Sequence, residues 1–151
     1  MDFTFDVAIK NRMLFKHFLE NFTLDQLNKV PEGFSNNMFW NIAHTVVTQQ
    51  LLVYKLSDVP MLVSDALVET YRKGTKTERP VTQAEVDEVK RLLFSTIETT
   101  KVDYNNNVFK TYTEYTVSTK STLTCVDDAL VFNNFHEGIH LGYILALKKY
   151  V

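Results

Sequence analysis

Two histidines four residues apart, His136 and His140, stand in the run His136-Glu137-Gly138-Ile139-His140 near the end of this 151-residue chain. On a helix that spacing puts both imidazoles on one face with Cβ atoms about 5–6 Å apart, close enough for one divalent cation to bind both. A mononuclear centre needs at least one more ligand, and the chain has only two other histidines, His17 and His44. The string also matches the His-Glu-x-x-His signature of zinc proteases, in which the glutamate is the general base. That reading fails for want of a ligand: eleven residues follow His140, and none is a histidine or a carboxylate. Gly138 is also a poor helix former inside such a motif. A third ligand must therefore come from upstream. Glu137 is the candidate catalytic residue, lying about 100° around a helix from His136 and about 60° from His140. It can act as a base toward a water on the ion or orient a histidine; the plainer assignment is a glutamate facing solvent.

The elements that must carry these residues are helices. From about Asp6 to Asn21, Val7, Leu14, Phe15, Phe18, Leu19 and Phe22 form one apolar stripe, and His17 points away from it, as a solvated surface histidine does. Thr23-Leu24-Asp25-Gln26 reads as a capping box with Phe22 and Leu27 as its hydrophobic staple, so a short helix starts there and ends before Pro31. Ser35 is the expected N-cap of a longer helix reaching about Leu56. Asn37, Trp40, His44, Val47, Thr48 and Leu51 lie on one side of it, and Phe39, Ile42, Val46 and Val53 on another. Two apolar sides mean burial on both, which places His44 in the interior. The connector from Ser57 to Val81 contains Pro60, Gly74 and Pro80, with a helical turn or two after Ser64. Its length predicts a crossover spanning a bundle.

Thr82-Gln83-Ala84-Glu85 is the clearest helix start in the chain, a capping box with Val81 and Val86 as staple. Val86, Val89, Leu93, Ile97, Thr100 and Tyr104 carry that helix's buried face. Asn105-Asn106-Asn107 breaks it, and the Thr-, Tyr- and Val-rich stretch from Val108 to Cys125 favours extended structure. Such a segment either walls a pocket or is a plain surface loop. Thr124, with Asp127 three positions on, is the expected cap of the last helix. Its predicted buried stripe is Ala129, Phe132, His136, Ile139, His140, Tyr143, Leu147 and Tyr150.

Composition narrows the function classes. A chain of this length with 45% hydrophobic and 23% charged residues suits one domain, residues 1–151. The net charge of −2 and scattered basic residues argue against a nucleic-acid partner. The lone Cys125 cannot form an internal disulfide, the N-terminus lacks a signal-like apolar run, and no stretch suits a membrane span. The expectation is a cytoplasmic protein without a membrane partner.

A lone buried histidine is usually a core residue with hydrogen-bonded ring nitrogens, and a metal-free helical protein remains one reading. Three imidazoles on facing stripes are harder to explain by packing, because each has a polar edge to satisfy and one shared cation would satisfy all three. Neutral imidazole suits Zn²⁺, Ni²⁺, Cu²⁺ or Fe²⁺. With His17 set aside, the interior upstream histidine is His44. Asn37, Trp40, Thr48, Asn133 and Tyr143, each within a turn or two of a ligand, are candidates for the pocket wall.

The run Asn36-Asn37-Met38-Phe39-Trp40-Asn41-Ile42-Ala43-His44, followed at the other end by His136-Glu137-Gly138-Ile139-His140-Leu141-Gly142-Tyr143-Ile144, resembles the DinB superfamily, the DinB/YfiT-like metalloenzymes. The resemblance covers nearly the whole chain. It implies an all-α, four-helix-bundle fold with a long crossover between helices 2 and 3, often dimeric, and a divalent metal, commonly zinc or nickel, held by His44, His136 and His140. It further implies a small-molecule substrate and either hydrolysis or S-transfer using a low-molecular-weight thiol. Three neutral ligands leave an open position, as in catalytic zinc. The alternative is a metal-binding stress or interaction protein in which the ion only staples helices.

Overall fold

A computed structural model describes residues 1–151. Helix accounts for 64% of them, in six helices with one small two-stranded sheet, so the chain is all-α as expected. The helices are α1 (Asp2–Asn21), α2 (Leu24–Asn28), α3 (Met38–Val53), α4 (Asp65–Tyr71), α5 (Gln83–Asn105) and α6 (Val126–Leu147); a 3-10 turn, Lys55–Ser57, follows α3. None is long and apolar enough to cross a membrane. Among the long helices, α3 packs on α6 and α5, and α1 packs on the same two.

Local chemistry explains most of the boundaries. The capping box of α2 is present, with Gln26 N–H donating to Thr23 Oγ1 and Thr23 N–H to Gln26 Oε1. That of α5 is present too, and Arg79 grips the capping Glu85 through both carboxylate oxygens. Helix α3 starts two residues later than its expected Ser35 cap, because the Asn37 side chain accepts from the Trp40 N–H at 2.7 Å. In α6 the N-cap is Cys125, and Asp128 rather than Asp127 reaches back, accepting from the backbone N–H and hydroxyl of Thr124. An acid one residue further along serves the same helix start. Helix α4 begins after Ser64, whose hydroxyl accepts from the Leu67 N–H.

Two buried faces differ from the sequence expectation. On α1 the buried residues are Phe5, Ala8, Arg12, Phe15, Phe18 and Leu19, while Leu14 is exposed. A fully buried arginine sits inside the apolar stripe. On α6 the buried residues are Ala129, Leu130, Asn133, Glu137, Ile144 and Leu147, whereas Ile139 and Tyr143 are 49% and 41% exposed. The helix is therefore turned by roughly 70–80° from the face read off its apolar residues. On the face that is buried, Glu137 meets Arg12 in an ion pair that an apolar stripe does not anticipate.

The core consists of two apolar clusters with a polar layer between them. One cluster holds Phe15, Phe18, Ile42, Val46, Val89, Leu93 and Ile144 among others. The second holds Phe5, Ala8, Leu52, Val53, Ile97, Ala129 and Leu130 with Val117 and Leu123. All four long helices put polar groups at the level between them: Arg12 from α1, Gln49 from α3, Thr96 and Thr100 from α5, Asn133 and Glu137 from α6. Arg12 Nε donates to Glu137 Oε1 at 2.8 Å, and its Nη1 to the Leu93 carbonyl at 3.3 Å. Its Nη2 lies 2.7 Å from the same carboxylate oxygen, a charge contact without hydrogen-bond alignment. Gln49 Nε2 donates to Thr100 Oγ1.

The stretch after α5 resolves the choice between pocket wall and surface loop. Strands β1 (Tyr115–Thr116) and β2 (Thr122–Leu123) form a short antiparallel hairpin. The approach to it is sewn to the end of α3: Thr113 N–H donates to the Leu56 carbonyl at 2.6 Å, and the Tyr112 hydroxyl to the Leu52 carbonyl at 3.0 Å. The hairpin is thereby held over one side of α3.

Candidate metal centre

Helices α3 and α6 bring His44, His136 and His140 together. Ring centroids lie 5.1 Å (His44 to His136), 4.8 Å (His44 to His140) and 4.6 Å (His136 to His140) apart. The Nε2 atoms of His136 and His140 are 3.2 Å apart, and no two ligating nitrogens of the group are more than 4.8 Å apart. An ion with N–metal bonds of about 2.0–2.1 Å spaces its ligand nitrogens roughly 3.0–3.4 Å apart. One pair already has that spacing, and the remaining separations are no more than 4.8 Å. His17 is exposed and meets Asn21 instead.

Hydrogen bonding decides which nitrogen each ring turns inward. His44 Nδ1 lies 2.6 Å from the Tyr71 backbone carbonyl. A carbonyl only accepts, so Nδ1 carries the proton and Nε2 keeps its lone pair. His140 Nδ1 lies 2.8 Å from Asn41 Oδ1, and the Asn41 amide is oriented by its own Nδ2, which donates to the Asn37 carbonyl at 2.8 Å. Asn41 Oδ1 must therefore accept, and His140 also points a bare Nε2 at the cluster. Partners of this kind raise the basicity of ligating histidines and hold their rings. His136 lacks one, since its Nδ1 is buried without a partner.

Burial keeps the three rings neutral, as ligands must be. Desolvation, reinforced by the neighbouring imidazoles and Arg12, pushes His136 down to about 3. Desolvation and His44 push His140 down to about 4. His44 is lowered by desolvation, partly opposed by its bond to the Tyr71 carbonyl. Trp40 stacks on His44 with centroids 4.6 Å apart and planes 11° from parallel, and its Nε1 donates to Thr75 Oγ1.

A cleft of about 310 Å³ opens beside the cluster, with His44, His136 and Thr48 in its wall. Leu51 and Leu52 line it from the end of α3, Leu56 from the 3-10 turn that follows, Phe132 from α6, and Tyr115, Val117 and Ser118 from the hairpin. Lys55 and Lys73 complete the lining. The turned register of α6 leaves His136 and His140 half-buried on the flank of the helix rather than in the middle of its buried face. A larger cleft of about 490 Å³ beyond Trp40 and Tyr71 contains none of the three histidines.

The other candidates separate. Thr48 Oγ1 is 3.2 Å from His44 Nε2. Asn37 caps α3, and Asn133 donates to Glu137 Oε1 at 2.9 Å. Tyr143 packs edge-on against Phe34, away from the cleft lining. Glu137 is 0% exposed, so the solvent-facing assignment does not hold. Its carboxylate is held by Arg12 and Asn133, a role with no signal in a stripe read from apolar residues alone. Asn41, which orients His140, could have been suspected as a buried amide three residues before His44. Tyr71 acts through its backbone, which residue type does not report.

Residues 9–144 match the DinB superfamily, and the matched stretch contains all three clustered histidines. The chain belongs to the DinB superfamily. No curated protein matches it. As in the resemblance read from the sequence, this DinB-superfamily chain brings His44 from its first half together with His136 and His140 from its tail, and the three form a group that can hold a metal ion. The donor set fits such an ion: neutral nitrogens, two of them with lone pairs turned inward by their hydrogen-bond partners.

Proposed function

We propose that this chain is a divalent-metal-dependent enzyme in which His44, His136 and His140 hold the ion, with zinc or nickel as the metal. In this reading the four long helices are a four-helix bundle, and the segment between α3 and α5 is its crossover. The observation that carries the proposal is the pair of inward lone pairs, on His44 and His140, beside a cleft large enough for a small molecule. A site built only to staple helices has no need of such a cleft, which is why the non-catalytic reading is second.

When bound, the ion would supply Lewis acidity, lowering the pKa of a water or a thiol at its open position. The residues around the cleft favour the thiol. Hydrolysis calls for a general base near the attacking water, yet no carboxylate lines the cleft, and Glu137 is committed to Arg12. A thiol starts from a pKa of about 8.5 against about 15.7 for water, so the same ion would ionise it fully near neutral pH without a separate base. Leu51, Leu56, Val117 and Phe132 would exclude water from an apolar co-substrate, while the Thr48 hydroxyl, 3.2 Å from the bare Nε2 of His44, donates to that nitrogen.

Metal analysis of the purified protein followed by parallel assays tests this: conjugation of a small thiol to an electrophile, and hydrolysis of esters and amides. Metal-dependent conjugation that is lost in His44→Ala is the expected result. Stoichiometric metal with no turnover in either assay would favour the non-catalytic reading.

A further inference from the structure

The cleft has a charge pattern unlike that of the rest of the chain. The protein as a whole carries 18 acidic against 16 basic residues, yet the cleft lining contains two lysines and no aspartate or glutamate. Lys55 comes from the 3-10 turn after α3, and Lys73 from just beyond α4. The two lysines are 18 residues apart in sequence, and both line this opening. Neither ammonium is ion-paired, although seven other basic residues are. Between these lysines and the histidines the wall is apolar, formed by Leu51, Leu52, Val117 and Phe132.

We propose that Lys55 and Lys73 form an anion-recognition element, so that the substrate or co-substrate of this site is a small amphiphilic acid: a reacting group directed at the three histidines, an apolar middle, and a carboxylate or similar anion at the lysines. A cleft of about 310 Å³ lies at the small end of the roughly 300–1,000 Å³ range of small-molecule sites, which suits a short-chain acid. Neutral histidine ligands would leave the ion its full positive charge, so the whole cleft would attract anions and repel cations. The inference rests on the metal-site reading above and goes beyond it by naming the substrate class.

Calorimetric titration of zinc-loaded protein with mercaptohexanoate and, separately, mercaptohexanol tests the idea, because the two probes share a thiol and an apolar chain and differ only in the terminal charge. Wild type should bind the acid about tenfold more tightly than the alcohol, a step expected from two lysine contacts. The Lys55→Gln/Lys73→Gln double variant should bring that ratio to about one while leaving alcohol affinity unchanged; both lysines are exposed, so the fold is unaffected. Equal binding of both probes to wild type, or an unchanged ratio in the double variant, overturns the anion element and leaves the metal site standing. Protein that retains no zinc and binds neither thiol overturns the metal reading and this inference together.

Discussion

At the scale of single residues, the centre depends on what holds the outer nitrogens of the imidazoles. Asn41 is the informative case: it touches no ion in the proposed site, yet it decides the tautomer of His140. Asn41→Leu should therefore weaken zinc binding by about 10–100-fold with the helices intact, measured by competition with a chromogenic chelator. The histidines also make metal-free stability depend on pH. His136 and His140 fall from 6.5 in the unfolded chain to about 3 and about 4 when folded. The unfolded chain thus takes up protons first as pH falls, so their contribution to stability is complete above about 6.5 and is lost progressively on acidification toward those lower values. Lowering the pH from 7 to 5 should cost on the order of 2 kcal/mol for each ring that stays neutral. Denaturant titrations of metal-free wild type at the two pH values check this, and His136→Phe should flatten the dependence.

Among the elements, the relation of α1 to α6 matters most, because it sets which face of α6 meets α3. Arg12 and Glu137 are both fully buried, and removing one partner leaves the other charge without compensation. Arg12→Met alone should destabilise by about 3–5 kcal/mol, and Arg12→Met with Glu137→Leu should recover much of that loss. Equilibrium unfolding gives both numbers. If the double variant is stable but binds zinc more weakly, the ion pair acts by holding the α6 register. Helix starts can be treated separately: Thr82→Ala removes the side-chain acceptor of the α5 capping box and should cost about 1 kcal/mol without changing metal affinity.

For the molecule as a whole, the two apolar clusters do not require the ion, since each is closed by side chains from several helices. Chelation should leave the far-ultraviolet helix signal unchanged. Zinc at about 100 times its Kd should still add about 2.7 kcal/mol of stability by mass action. For a chain of this size that raises Tm by about 5–10 °C. Loss of helix on chelation would mean instead that the polar layer holds together only around a cation. The layer has a functional consequence in either case: with the histidines on its edge and the hairpin over α3, the cluster faces a cleft rather than a sealed core.

The helices of this chain, the capping boxes of α2 and α5, the spacing of His136 and His140 and the interior placement of His44 were legible in the sequence, because each rests on interactions within a few residues or on a simple apolar period. The burial of Arg12, the true face of α6, the lysines at the cleft and the roles of Tyr71 and Asn41 were not. Each is settled by a partner distant in the chain: Glu137 for Arg12, His140 for Asn41, His44 for the Tyr71 carbonyl. A buried charge obeys its counter-ion before it obeys the hydrophobic period, and only the tertiary structure shows which counter-ion that is.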